Sequence, residues 1–333
     1  MRILVTGGGG YLGSSLIKKL LDRGDQVTVV DRLIFGQPFV AHPNLRVYRA
    51  DVRVRQDMEQ LLRGQEAIVH LAFVSNDPAY ELDPQHADSI NIGTLEPLLR
   101  LSADAGVSRF VFLSSCSVYG HTSDDCVFEH SPAAPLTDYA RHKLICESII
   151  QKQSDAGFSW TILRAATIFG LSSRQRFDLL LNRMLAEALV TKKIILGSPD
   201  ACRPVVTMGW LVDAIIHVLI GDDARVSRKI FNVATETRTV SGWGEFIQAH
   251  FPCDLYTHIA DASTDQRSYT VVADRLAESG FHSDRSMVQS LVELAHAILT
   301  NVCVNPLTTA AFHNIATQRQ HDFSVVRPME RVL

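Results

Sequence analysis

None of the six cysteines (116, 126, 146, 202, 253 and 303) of this 333-residue chain forms a C-x-x-C pair. Neither a thiolate zinc site nor a disulfide frame is expected, and a reducing cytoplasmic setting is. No apolar run reaches the ~18 residues that a membrane helix needs. The first one, Ile3-Leu4-Val5, stops at a glycine cluster and is too short for a signal peptide. There is no cationic excess, because 32 Lys and Arg face 36 Asp and Glu for a formal net charge of −4. That balance speaks against a nucleic-acid binder. Neither His70 nor His142 has metal-ligand company, so no metal is expected. Repeats and low-complexity stretches are lacking too.

What the chain has is a globular composition, 46% apolar and 20% charged, enough to bury a core. Of its 32 cations 25 are Arg, a residue suited to bidentate capture of phosphate. The first half alternates short β-branched runs with amphipathic stretches. Strands are predicted at 2–6, 26–30, 46–49, 67–71, 109–113 and 159–163, with helices at 12–22, 55–62, 85–104 and 139–156. Runs such as Val27-Thr28-Val29-Val30 and Phe110-Val111-Phe112-Leu113 are apolar on both faces, as in a parallel sheet covered on both sides. The rhythm is that of an α/β, doubly wound sheet. After about residue 164 it loosens. Helices are predicted at 179–190, 211–219, 243–250 and 287–299, and strands at 194–196 and 230–233.

Thr6-Gly7-Gly8-Gly9-Gly10-Tyr11-Leu12-Gly13 joins the first strand to the first helix. Gly7 permits the tight turn, Gly10 lets backbone approach a pyrophosphate, and Gly13 lets helix and strand pack closely. The helix N-terminus offers free N–H groups to phosphates. Asp31 ends the second strand, where a carboxylate accepts from an adenosine ribose and repels a 2′-phosphate, favouring NAD over NADP. Arg32 beside it could host that phosphate. Asp51, after the third strand, could bond an adenine amine or cap a turn. These features describe a Rossmann-type nucleotide-binding domain.

Tyr139 and Lys143 stand four residues apart on one helical face. A free phenol titrates near ~10. An adjacent ammonium and a positive nicotinamide ring both favour phenolate, bringing the Tyr into a useful range. Ser115, in Ser114-Ser115-Cys116-Ser117-Val118-Tyr119-Gly120, falls at the carboxyl end of the fifth strand, where this fold does chemistry. Cys116 reads either as an acid or as a small buried core residue.

Together these segments resemble the extended short-chain dehydrogenase/reductase family, which includes the NDP-sugar epimerases and dehydratases. The glycine loop, Asp31, His70-Leu71-Ala72, Asn91-Ile92-Gly93-Thr94, the Ser114–Gly120 segment, Tyr139-x-x-x-Lys143 and Leu163-Arg164 carry the likeness. It runs through about residue 299. The resemblance implies Ser115, Tyr139 and Lys143 as catalytic residues. It implies a cofactor lining of Gly7, Gly10, Tyr11, Leu12, Gly13, Asp31, Arg32, Asp51, Val52, Leu71, Ala72, Asn91, Tyr139, Lys143 and Ala166. Substrate contacts would come from Ser75, Ser115, Cys116, Asn182, Arg203 and Arg267, with Asn182 and the two arginines on a diphosphate. Residues 1–164 and about 205–234 would form the NAD-binding domain. Residues 165–204 and 235–299 would form a smaller mixed α/β substrate lobe, and 300–333 a tail of uncertain order. The family's usual His and Asn are Thr207 and Thr167 here, which leaves nucleotide and sugar open.

The implied reaction is NAD-dependent 4-epimerisation of an NDP-hexose by transient oxidation at C4. An NDP-4-keto-sugar reductase or a dehydratase of the same family is the enzymatic alternative, and a dinucleotide-sensing regulator the non-enzymatic one. Elimination of water needs an acid–base pair where this chain has Cys116 and Ser117, and a serine is no ordinary base. The resemblance also implies a homodimer formed through helices 85–104 and 139–156.

Overall fold

The computed structural model describes the chain except residues 76, 123, 154–156, 259–267, 320, 322–323 and 327, together with the side chains of 77–79. An eight-stranded sheet dominates it. Its order is Lys229–Val233, Ser159–Ala165, Arg109–Ser115, Ala67–His70, Arg2–Thr6, Gln26–Asp31, Leu45–Arg49 and Glu330–Arg331. Every pairing is parallel except the last, which is antiparallel. Every residue of Ala67–His70 and of Ser159–Ala165 is buried, as central strands covered on both faces must be. The order of connection reverses beside Arg2–Thr6, so the crevice at that strand's carboxyl end is the switch point where such sheets bind ligands.

The helices follow their apolar spacing. Tyr11–Asp22 buries Leu12, Leu16, Ile17 and Leu20 against the sheet, the stripe expected of a helix lying on a core. The single helix expected over 85–104 is two, Pro84–Asn91 and Leu95–Asp104. Pro97 explains the break. In a continuous helix its ring would clash with the carbonyl of Gly93 and no N–H would reach that carbonyl. In the second helix it sits in the first turn, where neither matters. Asp138–Gln151 is capped by the Thr137 hydroxyl, which accepts from the Ala140 N–H at 3.3 Å. Its expected end at 156 lies outside the described residues.

A second core gathers Phe169, Phe177, Leu181, Leu185, Trp243 and Leu291. Around it lie a three-stranded sheet of Glu236–Thr239, Cys202–Thr207 and Thr167–Phe169 and a pair formed by Lys193–Gly197 and Asp254–His258. Thr207 is a helix cap, its hydroxyl accepting from the Trp210 N–H at 3.3 Å. The region after residue 300 has no clear period, yet its described part is built into the molecule. Phe312 packs edge-on against Phe177 with centroids 5.4 Å apart. Asn314–Gln318 is helical, and Glu330–Arg331 pairs with the Tyr48–Arg49 end of the sheet. The segment therefore runs from the second core to the far edge of the main sheet. Among the described residues, no helix is long and apolar enough to cross a membrane.

Candidate active site

A cleft of about 1000 Å³ opens at the carboxyl edge of the sheet, between the glycine loop and the second core. The loop is shaped by steric need. Gly7 has φ +70, and a Cβ there would stand 2.5 Å from the Ala72 nitrogen. A Cβ on Gly13 would meet Gly8 at 2.6 Å. A side chain at either place would fill or distort the cradle that a dinucleotide's phosphates require, so the residues present fit that group.

Gly7, Gly10, Tyr11, Leu12, Gly13, Asp31, Arg32, Asp51, Val52, Leu71, Ala72 and Ala166 all line the cleft. Asp31 accepts from the Gly9 N–H at 2.8 Å and the Leu33 N–H at 2.7 Å. Burial raises its carboxyl above the ordinary range despite those two bonds. Asp51 is committed within the protein. One oxygen accepts from Arg53 Nε at 2.9 Å and from its backbone N–H at 3.0 Å, and the other from Arg53 Nη2 at 2.6 Å. Burial alone would raise it, but Arg53 outweighs burial and holds it below the usual value. Arg32 and Arg53 flank His86 at 3.2 and 3.3 Å, and both donate to the Ser324 carbonyl at 3.2 and 3.3 Å. The C-terminal segment thus reaches the adenosine end of the cleft.

Ser115 and Tyr139 also line the cleft. The Ser115 hydroxyl caps a short 3-10 turn, accepting from the Ser117 N–H at 3.1 Å and the Ser117 hydroxyl at 2.9 Å. Its own proton is then free to point at a ligand oxygen. Lys143 lies behind the cleft wall, 4% exposed, and donates to the Leu113 carbonyl at 2.7 Å. Its Nζ is 5.8 Å from the centre of the Tyr139 ring. Burial pulls its pKa down to about 7. Phe73 packs against both, with its ring centre 3.4 Å from Nζ and edge-on to Tyr139 at 5.7 Å.

Cys116 is 2% exposed, and its thiol donates to the Arg164 carbonyl at 3.1 Å. Burial pushes that thiol far up, and the residue also borders the cleft. His70 bonds the Thr6 hydroxyl through Nδ1 at 2.7 Å, and burial pulls it down to about 3, a neutral structural ring. His142 bridges helices, 2.9 Å from Asp88. Among the described residues, no cluster could hold a metal.

Besides Lys143, two expected ligand contacts lie outside the cleft lining. Asn91 is fully buried and holds the loop after Ala67–His70, its Oδ1 accepting from the Val74 N–H at 2.8 Å. Asn182, expected on a diphosphate, spends its amide inside the protein. It accepts from the Gly170 N–H at 3.1 Å and donates to the Tyr11 hydroxyl at 2.9 Å and the Arg176 carbonyl at 2.7 Å. Tyr11 in turn donates to the Gly170 carbonyl at 2.6 Å, stitching the first helix to the second core. Ser75 and Arg203 line the cleft, and Arg267 is outside the described residues. Sequence reasoning missed Phe73, Arg174 and Asn314. The Arg174-Gln175-Arg176 cluster offered a signal for the second of these, whereas the aperiodic tail offered none for Asn314.

A model described as the NAD dependent epimerase/dehydratase family matches residues 3–234. A UDP-glucose 4-epimerase of Lacticaseibacillus casei is 32% identical over 173 residues, 51% of this chain and 52% of that protein. An uncharacterized UDP-glucose epimerase of Bacillus subtilis, YtcB, is 32% identical over 235 residues, 66% of this chain and 72% of that protein. The chain spans about half the length of the UDP-glucose 4-epimerases it matches. The fold is shared with a UDP-N-acetylglucosamine 4-epimerase from Methanobrevibacter ruminantium, at TM-score 0.81 and 22% identity over 90% of this chain and 98% of that one. It is shared equally with a dTDP-glucose 4,6-dehydratase from Streptomyces venezuelae solved with NAD, at TM-score 0.80 and 24% identity over 90% and 98%. The family match contains the glycine cradle, the Ser115 strand end and the turn that carries Tyr139 and Lys143, and the chain belongs to the NAD-dependent epimerase/dehydratase family of enzymes.

Proposed function

We propose that the protein is a nucleotide-sugar 4-epimerase that oxidises C4 of an NDP-hexose transiently and returns the hydride to the opposite face. The observation that carries this reading is that Ser115 and Tyr139 line the same cleft as the glycine loop. NAD, when bound, supplies the hydride acceptor. Tyr139 takes the proton of the sugar hydroxyl. The free Ser115 proton anchors the same oxygen and stabilises the charge that develops on it. Lys143 sits near its titration point at neutral pH. A phenolate at Tyr139 would favour the charged ammonium. The residues supporting the second half-reaction are the same ones, which is the economy of an epimerase.

The buried Cys116 supports epimerisation over 4,6-elimination. A dehydratase needs an acid at the sugar's far carbon, and this thiol is turned to the Arg164 carbonyl. The nucleotide-sugar class rests on the relatives named above. A cytoplasmic setting and a homodimer belong to the same proposal. Helices Leu95–Asp104 and Asp138–Gln151 would form the interface around Ile145, which is 43% exposed, and sedimentation at micromolar concentration tests it. The function is tested by turnover of an NDP-hexose panel in D₂O with NMR of the product. The expected product is inverted at C4 and free of solvent deuterium. Deuterium at C3 or C5, loss of water, or net consumption of added reduced cofactor would each overturn the epimerase reading.

A further inference from the structure

Arg174 holds a charge that its contacts do not balance. It is 5% exposed and lines the cleft. A guanidinium carries five N–H donors, and a buried one is costly without an anionic partner. Here Nη2 donates to a neutral group, Asn314 Oδ1, at 2.6 Å. Nε is enclosed and has no hydrogen-bond partner among the described residues. One face lies 3.8 Å from the centre of the Phe35 ring. The nearby carboxylates serve other donors: Asp178 takes both Arg176 bonds, at 2.9 and 2.8 Å, and Asp31 takes the Gly9 and Leu33 N–H groups. Burial first, then the Arg176 charge, pull Arg174 down to about 9.

The residue is also well placed. Its backbone N–H lies 3.4 Å from the Ser14 hydroxyl and 3.3 Å from that of Ser172, which donates to the Tyr11 carbonyl at 2.6 Å. Ser14 and Tyr11 belong to the first turns of the helix that the glycine loop opens. Phe35 follows the strand that ends in Asp31. The unbalanced cation therefore stands beside a helix N-terminus built to receive phosphate.

We propose that Arg174 binds the diphosphate of the dinucleotide from the second lobe, and that Asn314, from the C-terminal segment, is its positioning residue. The inference rests on reading the cleft as an NAD site. Asn314 is 2% exposed and is itself fixed, donating from Nδ2 to the Ser75 hydroxyl at 3.1 Å. It lies beyond the residues matched by the family model. A nucleotide sugar also carries a diphosphate, but the contacts to Ser14 and Phe35 put Arg174 on the dinucleotide's side.

Calorimetric titration of the full chain, stripped of nucleotide, with ADP-ribose, adenosine and UDP tests this. Arg174→Gln should weaken ADP-ribose roughly 10–100-fold, the size of a charge-assisted hydrogen bond, and leave adenosine within about twofold. Arg174→Lys should lose less. Asn314→Ala should weaken ADP-ribose several-fold, again sparing adenosine. Equal losses for ADP-ribose and adenosine would mean general damage and overturn the assignment, as would unchanged ADP-ribose binding. Weakened UDP with intact ADP-ribose would move the cation to the sugar nucleotide and overturn it too. Failure of the unmodified protein to bind ADP-ribose would overturn the dinucleotide reading itself.

Discussion

The Lys143 ammonium lies 3.4 Å from the centre of the Phe73 ring. That contact offsets only part of the cost of burial, since a cation over an aromatic face gains about 0.5–2 kcal/mol. The group's pKa still falls from 10.5 to about 7. Between those values the unfolded chain binds more protons than the folded one, so this group makes stability rise with pH across that window. Below about pH 7 the full cost of the buried ammonium is present. Lys143→Met should therefore stabilise the nucleotide-free protein near neutrality, and the gain should fade towards about pH 10. Denaturant unfolding at several pH values measures the difference. A gain that does not vary with pH would show that charge burial is not its cause.

Phe73 gives a second handle on the same ammonium. Phe73→Leu removes the aromatic face while keeping the site dry, so the Lys143 pKa should move further down, by up to roughly one unit. Phe73→Ala should admit water and move it up. The pH window of the stability slope reads both shifts, and a common direction for the two variants would contradict the arrangement.

Tyr139→Phe should keep nucleotide binding and lose at least about a hundredfold in turnover, the usual size of a lost acid–base group. Steady-state kinetics beside a cofactor titration would check it. Near-normal turnover would remove the phenol from the mechanism.

Cys116→Ala should leave both turnover and its pH profile almost unchanged, within about threefold, because the thiol is turned into the core. A loss of the size expected for an acid–base group, about a hundredfold, would return the residue to the chemistry.

Asp31 links pH to cofactor affinity. The ribose needs the carboxylate form, and burial raises this carboxyl above its ordinary 3.8. NAD affinity should therefore fall on acidification at a pH above the usual carboxylate range. Asp31→Ala should remove that dependence, weaken NAD by roughly 10–100-fold and relax discrimination against NADP. Titrations at several pH values test it, and tighter NADP binding by the unmodified protein would contradict the role.

Much of this architecture was legible because its signals are local. The strands near the switch point are apolar on both faces, the glycine loop is contiguous, and Tyr139 and Lys143 share one helical turn. Pro97 marked the break in the helix expected over 85–104, although an apolar period spanning it concealed the mark. Short half-buried strands such as Glu236–Thr239 have too few apolar positions to show a period. The cleft's long-range parts were least visible. Asn314 meets Arg174 across 140 positions of sequence, and Asn182 and Asn91 show buried amide bonding that residue type alone cannot separate from ligand contact. An unbalanced cation becomes apparent only once the surrounding carboxylates are seen to be taken.

The central claim is that hydrogen leaves the sugar as hydride and returns to the same carbon. Its most direct test is a single-turnover experiment on the NAD-loaded protein with a nucleotide hexose deuterated at C4, following reduced-nicotinamide absorbance and the isotope in the product. The account predicts transient reduction, slowed by the isotope and lost in Tyr139→Phe, with deuterium retained at C4 of the epimer. Epimer formed without transient reduction, or with solvent hydrogen at C4, would contradict it.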